Sequence, residues 1–383
     1  MLQKKKIEEI DMIKGISILG VVCIHLLSIS GLKQFCGVGI KIDLSLCAPL
    51  MVLFFILSGY LKFNKIQSPG EYLLKRMKRI FVPYYVMAVI LLIVYAIIYL
   101  MIEKRSLGWY IDGAIGILLQ YQSFHWLDTS VTGIHSMYYG AIVGWFLFQM
   151  AVAEVIYVPL SYKIKDKRPA LKLILALVLL LLGAMLYLLD LQGLNEQPIS
   201  SILIPFVLPN MPGEAGLMLL GEYLATREFF DFDNYSRDRK IISGVVSLTL
   251  IVVLMSTDYY KYQFPFGIWG AFGPFSFLTE TLYGLALIIF LGILCTIIKR
   301  STPVKRALSQ LGRISMSILV THYFLAFLTA YICGFWYEPM AGAVPAANAL
   351  IAAGRFIIMF AVIMAWCWLI PRVAGRMGKR PTS

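Results

Sequence analysis

Residues 10–29 read IDMIKGISILGVVCIHLLSI, a run apolar enough to cross a bilayer that nevertheless contains an acid, a base and an imidazole. A run of about 20 apolar residues predicts a membrane-spanning helix. A titratable side chain in hydrocarbon costs a few kcal/mol, so it usually has a partner, a water path or a chemical role. Lys14 and His25 share one helix face, about 20° apart around the axis and roughly 16 Å apart along it. Asp11, three residues before Lys14, is placed to pair with it.

The composition predicts that this first helix is one of many. The chain of 383 residues is 60% hydrophobic and only 14% charged, and its mean hydropathy is +0.79. These values exclude an ordinary soluble protein. We therefore predict an all-α, polytopic integral membrane helical bundle of about ten transmembrane helices, forming a single membrane domain over 1–383. The apolar runs are 10–29, 44–63, 80–102, 137–161, 170–190, 200–226, 240–257, 270–298, 314–333 and 350–371.

The distribution of basic residues predicts the orientation. Most of the 34 Lys and Arg residues fall in the two tails and in alternate connections, as expected for cytoplasmic segments. An even number of helices with both termini cytoplasmic satisfies this pattern. The net charge of +13 is then explained by topology and by contact with anionic membrane lipids, and no nucleic acid is required.

Three further features constrain the prediction. Pro209 to Gly213 interrupts the sixth run and predicts a broken or re-entrant helix. The six cysteines have no metal-binding spacing, and we expect free apolar residues, with a Cys36–Cys333 bridge across outer loops as the alternative. Neither a nucleotide-binding glycine motif nor a metal-binding motif occurs, so we expect no metal.

The connection 103–136 is rich in aromatic residues and also contains His125 and His135, with a short amphipathic stretch at 111–119. Such a segment suits an interfacial aromatic belt, and it equally suits a platform for a sugar or a lipid headgroup. We expect the two histidines to be solvated loop residues, although they are rivals to His25 as catalytic groups.

Five phrases of the sequence, in order along the chain, resemble the acyltransferase 3 family of bacterial membrane acyltransferases. The first is Asp11 and KGISIL at 14–19 followed by His25; the others are FFILSGY at 54–60, KRMKRIFVPY at 75–84, GWFL at 144–147, and LGRISMS at 311–317 followed by His322. In that family a basic residue, usually Arg, precedes a functional His by ten intervening positions. Lys14 occupies the basic position, as in members resembling the fucose 4-O-acetylase branch.

The resemblance implies an enzyme of the bacterial inner membrane that moves an acetyl group from cytoplasmic acetyl-CoA to a hydroxyl. The implied acceptor is a cell-envelope sugar, glycan or lipid-linked saccharide. Such chemistry needs a base for the hydroxyl proton, donors for the developing oxyanion and cations for the donor's phosphates.

Candidate residues follow from these requirements. We expect His25 to be the general base or, alternatively, an acyl-carrying nucleophile. Lys14 is the basic partner on the same helix face, and His322 is a second active-site group that donates to the thioester carbonyl or, alternatively, a satisfied buried histidine. An orienting acid for His25 must come from another helix, with Glu154 and Glu280 as candidates. The candidate phosphate-binding residues are Lys75, Arg76, Arg79 and Arg313, although membrane anchoring would give the same basic cluster.

A different class of function is also open. In a transporter or flippase the buried charges would form a proton or substrate path without making bonds. We find no internal repeat of the kind common in transporters. A receptor or scaffold would leave Lys14 and His25 without a role.

Overall fold

The computed structural model describes residues 2–32, 37–63, 65–119, 144–193, 207–256, 276–333 and 345–377. These ranges are built from helices, as predicted, and contain no strand. The helices are α1 (Leu2–Ile29), α2 (Gly37–Lys62), α3 (Pro69–Tyr95), α4 (Leu107–Leu119), α5 (Gly144–Lys163), α6 (Pro169–Gly193), α7 (Val207–Thr226), α8 (Arg237–Ser256), α9 (Ser276–Ile298), α10 (Thr302–Arg313), α11 (Ser315–Ile332) and α12 (Pro345–Met377).

Each of the ten apolar runs overlaps one of these helices. Five helical stretches within the described ranges are long and apolar enough to cross a membrane: Glu8–Leu27, Pro69–Ile102, Thr279–Ile298, Ser315–Ile332 and Asn348–Leu369. The protein is therefore a multi-pass membrane protein. The count of about ten spans and the cytoplasmic position of both termini stay predictions.

The predicted break at Pro209–Gly213 is wrong, because α7 is continuous from Val207 to Thr226; the alternative of a re-entrant helix stays a prediction. Pro209 lies in the first turn, where a backbone N–H would have no partner within the helix in any case. Pro212 costs the helix one further hydrogen bond and does not end it. Residues 111–119 form the second part of α4, and the amphipathic character expected for them stays a prediction.

Close contacts at glycine hold the centre of the bundle together. A Cβ added at Gly59 of α2 would lie 1.8 Å from the carbonyl oxygen of Met218, and one at Gly221 of α7 would lie 1.9 Å from that of Ile56. On its other side α7 packs against α6, where a Cβ at Gly216 would lie 2.8 Å from the oxygen of Ala176. Small residues of this kind allow membrane helices to approach at backbone distance.

Ion pairs collect at one end of the bundle, which we call the basic end. It is formed by the first half of α1, the first turns of α3 and α6, the second halves of α5 and α7, the last turns of α2 and α9, the segment after α7, and α10. Lys299, just after α9, bonds to Glu9 of α1 at 2.7 Å and also to Asp233. Lys305 of α10 lies 2.9 Å from Glu8. These pairs fix α1, α9 and α10 relative to one another.

The amphipathic helix α10, which the hydropathy pattern did not predict, lies across the first half of α1. A Cβ at Gly15 would meet the carbonyl oxygen of Leu308 at 2.1 Å, and one at Gly312 would meet that of Asp11 at 1.8 Å. The two backbones are therefore in direct contact, and α10 holds the start of α11 against α1.

Candidate active site

The rings of His25 and His322 lie side by side, with centroids 5.3 Å apart and ring planes inclined by 34°. His25 comes from α1, and His322 comes from the middle of α11. Tyr323 meets His25 edge-on, with centroids 5.2 Å apart. The imidazole of His25 thus faces α11 inside the bundle. His25 as a residue is partly exposed, while His322 is fully buried.

Helix α11 is held in position by its contacts with α3 and α12. Tyr95 of α3 packs edge-on against Phe327, with centroids 5.0 Å apart. Trp366 of α12 donates its indole N–H to the hydroxyl of Thr321 at 3.1 Å. The helix that presents His322 is therefore fixed on both sides of that residue.

The backbone of α11 fixes the orientation of the His322 ring. Nδ1 lies 2.9 Å from the carbonyl oxygen of Ile318 and 3.0 Å from that of Leu319. The Nε2 atom of the same ring is buried and has no hydrogen-bond partner in the part of the chain that the structure describes. His322 is thus not a fully satisfied core histidine.

Lys14 lies at the basic end, below His25 on the same helix face. Its amino group lies 2.8 Å from Asp11, as the spacing predicts. The other carboxylate oxygen of Asp11 accepts from Nε of Arg313 at 3.4 Å. Two residues expected in different parts of the site, Lys14 and Arg313, are therefore joined by one acid.

Glu154 of α5 is fully buried and joins Lys62 of α2 to Arg76 of α3. One carboxylate oxygen, Oε1, accepts from Nε and an Nη of Arg76 at 2.9 and 2.7 Å, and also from Lys62. Among the described residues Glu154 bonds to these two cations and to neither histidine. Lys75 and Arg79 are exposed on the neighbouring turn of α3.

The other candidates are placed as follows. Glu280 is fully buried in α9, one turn before the buried Tyr283, and its role as an orienting acid stays a prediction. His125 and His135 lie outside the described residues. Cys333 is a free, exposed thiol, and Cys36 lies outside the described ranges. No three metal-ligating side chains converge within those ranges.

A second buried charge cluster lies next to the Glu154 group. Glu222 of α7 accepts from Lys172 of α6 at 2.6 Å, and from Ser161 and Tyr157 of α5 at 2.6 and 3.1 Å. The ring of Tyr157 also lies under the amino group of Lys62, 5.1 Å from it. This cluster fixes α5, α6 and α7, and with them the position of Glu154.

Lys299 shows the strength of the electrostatics at the basic end. Partial burial lowers its pKa, but the hydrogen bonds and negative charges of Asp233 and Glu9 outweigh that effect and hold the pKa above its usual value. Lys299 is therefore a permanent cation at neutral pH.

Sequence reasoning missed Tyr323 and Lys62. Tyr323 directly follows His322, but its contact with His25 depends on the packing of α1 against α11. The spacing of residues along the sequence does not show that packing. Lys62 was counted only among the basic residues that orient the chain. Its position at the end of an otherwise apolar helix was the available signal, because a buried amine needs an anionic partner.

Fold and site together define a multi-pass helical membrane protein that holds two imidazoles side by side inside its bundle. The acyltransferase 3 family model, described as an acyltransferase domain, matches residues 7–372. The chain therefore belongs to this family of membrane acyltransferases. No curated protein and no solved structure gives a match.

Proposed function

We propose that the protein transfers an acetyl group from acetyl-CoA to a hydroxyl of a cell-envelope sugar, glycan or lipid-linked saccharide, with His25 as the general base. The observation that carries this proposal is the imidazole of His25 packed against His322 and Tyr323 within the bundle. The His25 imidazole lies about 16 Å along one face of α1 from Lys14.

The proposed reaction balances as follows. The acceptor hydroxyl oxygen attacks the thioester carbonyl carbon while His25 takes the hydroxyl proton. The tetrahedral intermediate then collapses with cleavage of the C–S bond, and the proton returns to the sulfur. The products are the O-acetyl ester and coenzyme A.

The charge balance of the Glu154 cluster supports donor binding at the basic end. Lys62 and Arg76 both bond to the same carboxylate oxygen of Glu154, so this one acid neutralises the Arg76 guanidinium only in part. Of the five N–H groups of the Arg76 guanidinium, two bond to Glu154, and the other three have no partner among the described residues and can bond to a phosphate. In this proposal Glu154 holds Arg76, and exposed Lys75 and Arg79 add to the positive field.

The orientation of the chain is part of the proposal. If the basic end faces the cytoplasm, as the Lys and Arg distribution predicts, the donor arrives from the compartment where acetyl-CoA is made. The acceptor then reaches His25 from the opposite side. Lys14, Asp11 and Arg313 lie between the cytoplasm and the imidazoles, along the path of the thioester.

The test uses purified full-length protein in detergent or nanodiscs, with radiolabelled acetyl-CoA and glycans extracted from the envelope of the producing cells. We expect transfer of label by the wild type and a loss of roughly 10²–10⁴-fold in kcat for His25→Ala. Cys23→Ala, two residues away on the same helix, is the matched control and should keep full activity.

Coenzyme A binding, measured by calorimetry, should be unchanged in His25→Ala. The proposal fails if that variant transfers acetyl groups at the wild-type rate. It also fails if the wild type transports a solute and transfers no label, which is the behaviour expected of a transporter.

A further inference from the structure

The hydrogen bonds of His322 determine which ring nitrogen carries its proton. A backbone carbonyl can only accept, so Nδ1, which lies within 3.0 Å of two carbonyl oxygens, must be the N–H. In the neutral ring Nε2 then carries the lone pair. Neutral His322 therefore presents an acceptor, and donation to a thioester carbonyl from Nε2 would require the protonated ring.

The lone pair of Nε2 has no partner among the described residues, although the ring is completely buried. Buried acceptors are nearly always paired, and one that is not requires an explanation. The neighbouring ring provides one. A centroid separation of 5.3 Å suits two imidazoles joined by an N–H···N bond, which needs about 3 Å between the nitrogens in addition to the two ring radii.

Resting on the proposed function, we infer that His322 is the positioning residue of His25: its Nε2 accepts the N–H of His25. The backbone of α11 holds His322 in place. His322 then orients His25 by accepting its N–H, as the carboxylate of a serine-protease triad orients the catalytic histidine. His25 then directs its other nitrogen, with the lone pair, at the acceptor hydroxyl. A rotation of the His25 ring closes the contact.

This arrangement fills the role for which the sequence suggested an acid on another helix. After His25 takes the hydroxyl proton, the imidazolium donates to Nε2 of His322 and is stabilised without a buried carboxylate. The proton remains on His25 until it passes to the departing sulfur. His322 itself neither gains nor loses a proton.

Two substitutions separate this role from a structural one. His322→Asn places an amide near the position of Nδ1, where it can still donate to the Ile318 carbonyl, but removes the acceptor at the position of Nε2. His322→Gln reaches farther and offers an amide oxygen there. We expect His322→Asn to lower kcat at least 100-fold with the apparent KM for acetyl-CoA unchanged, and His322→Gln to recover at least tenfold of that loss.

The inference is overturned if His322→Asn retains kcat within threefold of the wild type, or if the two variants are equally impaired.

A double-mutant cycle adds an independent measurement. Because His322 acts through His25, adding His322→Asn to His25→Ala should not lower the residual rate further. Independent, multiplying losses would contradict the mechanism. If His25→Ala itself were fully active, the proposed function would fail; an inactive His25→Ala beside an active His322→Asn would remove only this inference.

A measurement on the unaltered protein covers the case in which the variants do not fold. The chain has four histidines, so ¹⁵N-histidine labelling gives few ring signals, which single substitutions elsewhere help to assign. We expect His322 as the Nδ1–H tautomer, with its Nε2 signal shifted by hydrogen bonding from His25. An Nε2–H tautomer at His322 would refute the inference.

Discussion

Replacing Glu222 by Gln should strongly destabilise the protein, because it breaks a fully buried ion pair. Both Glu222 and its partner Lys172 are no more than 2% exposed, and their charged atoms lie 2.6 Å apart. Removing one member of a buried pair leaves the other charge uncompensated, which costs about 3–5 kcal/mol. At about 2 °C per kcal/mol, the lower end for large domains, the melting temperature should fall by roughly 6–10 °C.

The assay is a thermal scan in detergent with a thiol-reactive fluorescent dye. Cys295 and Cys367 are buried, free thiols that react when the bundle opens. The matched control is Glu103→Gln, which removes a carboxylate from a solvent-exposed pair with Arg105 at 3.4 Å. Exposed pairs contribute about 0–1 kcal/mol, so the control should melt within about 2 °C of the wild type.

A second variant tests the electrostatic explanation itself. In the double variant Glu222→Gln, Lys172→Met no unpaired charge remains, and the amide still accepts from Ser161 and Tyr157. Most of the lost stability should therefore return, because replacing a whole buried pair is often nearly neutral. The reasoning would be refuted if the Glu222→Gln protein melted at the same temperature as the wild type. It would also be refuted if the double variant melted at or below the temperature of the single variant.

Two further predictions concern the packing and the donor site. Gly312→Ala places a methyl group 1.8 Å from the Asp11 carbonyl oxygen and should cost about 1–3 kcal/mol or more in the same thermal scan. Gly354→Ala, whose added methyl meets nothing within 4 Å, should instead stabilise by about 0.5–1 kcal/mol; equal melting of the two would contradict the close contact. Arg76→Gln should raise KM for acetyl-CoA about tenfold or more at unchanged kcat, because charge-assisted bonds to phosphate contribute about 1.5–3 kcal/mol. The exposed Arg168→Gln makes the same charge change and should leave KM unaltered. An equal rise in KM in both variants would show that Arg76 acts only through the general positive charge of this end of the bundle.

The fold class was predictable because it depends on local composition. Inside a membrane an apolar run can satisfy its backbone hydrogen bonds by itself only as a helix. Helices were therefore expected at these runs, and they were found there. The predicted break at Pro209–Gly213 was wrong for a local reason as well. Pattern alone does not show where a helix begins, and prolines near a start are tolerated.

The site was predictable only in part. Asp11 and Lys14 pair as their spacing on one helix requires, because that contact is local. The partners of Glu154 belong to α2 and α3, far along the chain, and only the packing of three helices brings Lys62 and Arg76 to its carboxylate.

The sequence by itself determined a helical membrane protein with an imidazole in its first apolar helix and one cation, Lys14, on the same face of that helix. Hydrophobic runs and helical spacing are properties of neighbouring residues, and they do not depend on how the helices pack against one another. The tertiary structure alone decided that His25 meets His322, that the carbonyls of α11 orient His322, and that Glu154 belongs to Arg76. Those contacts depend on which helix faces meet, and glycine contacts and buried charges between distant segments select those faces.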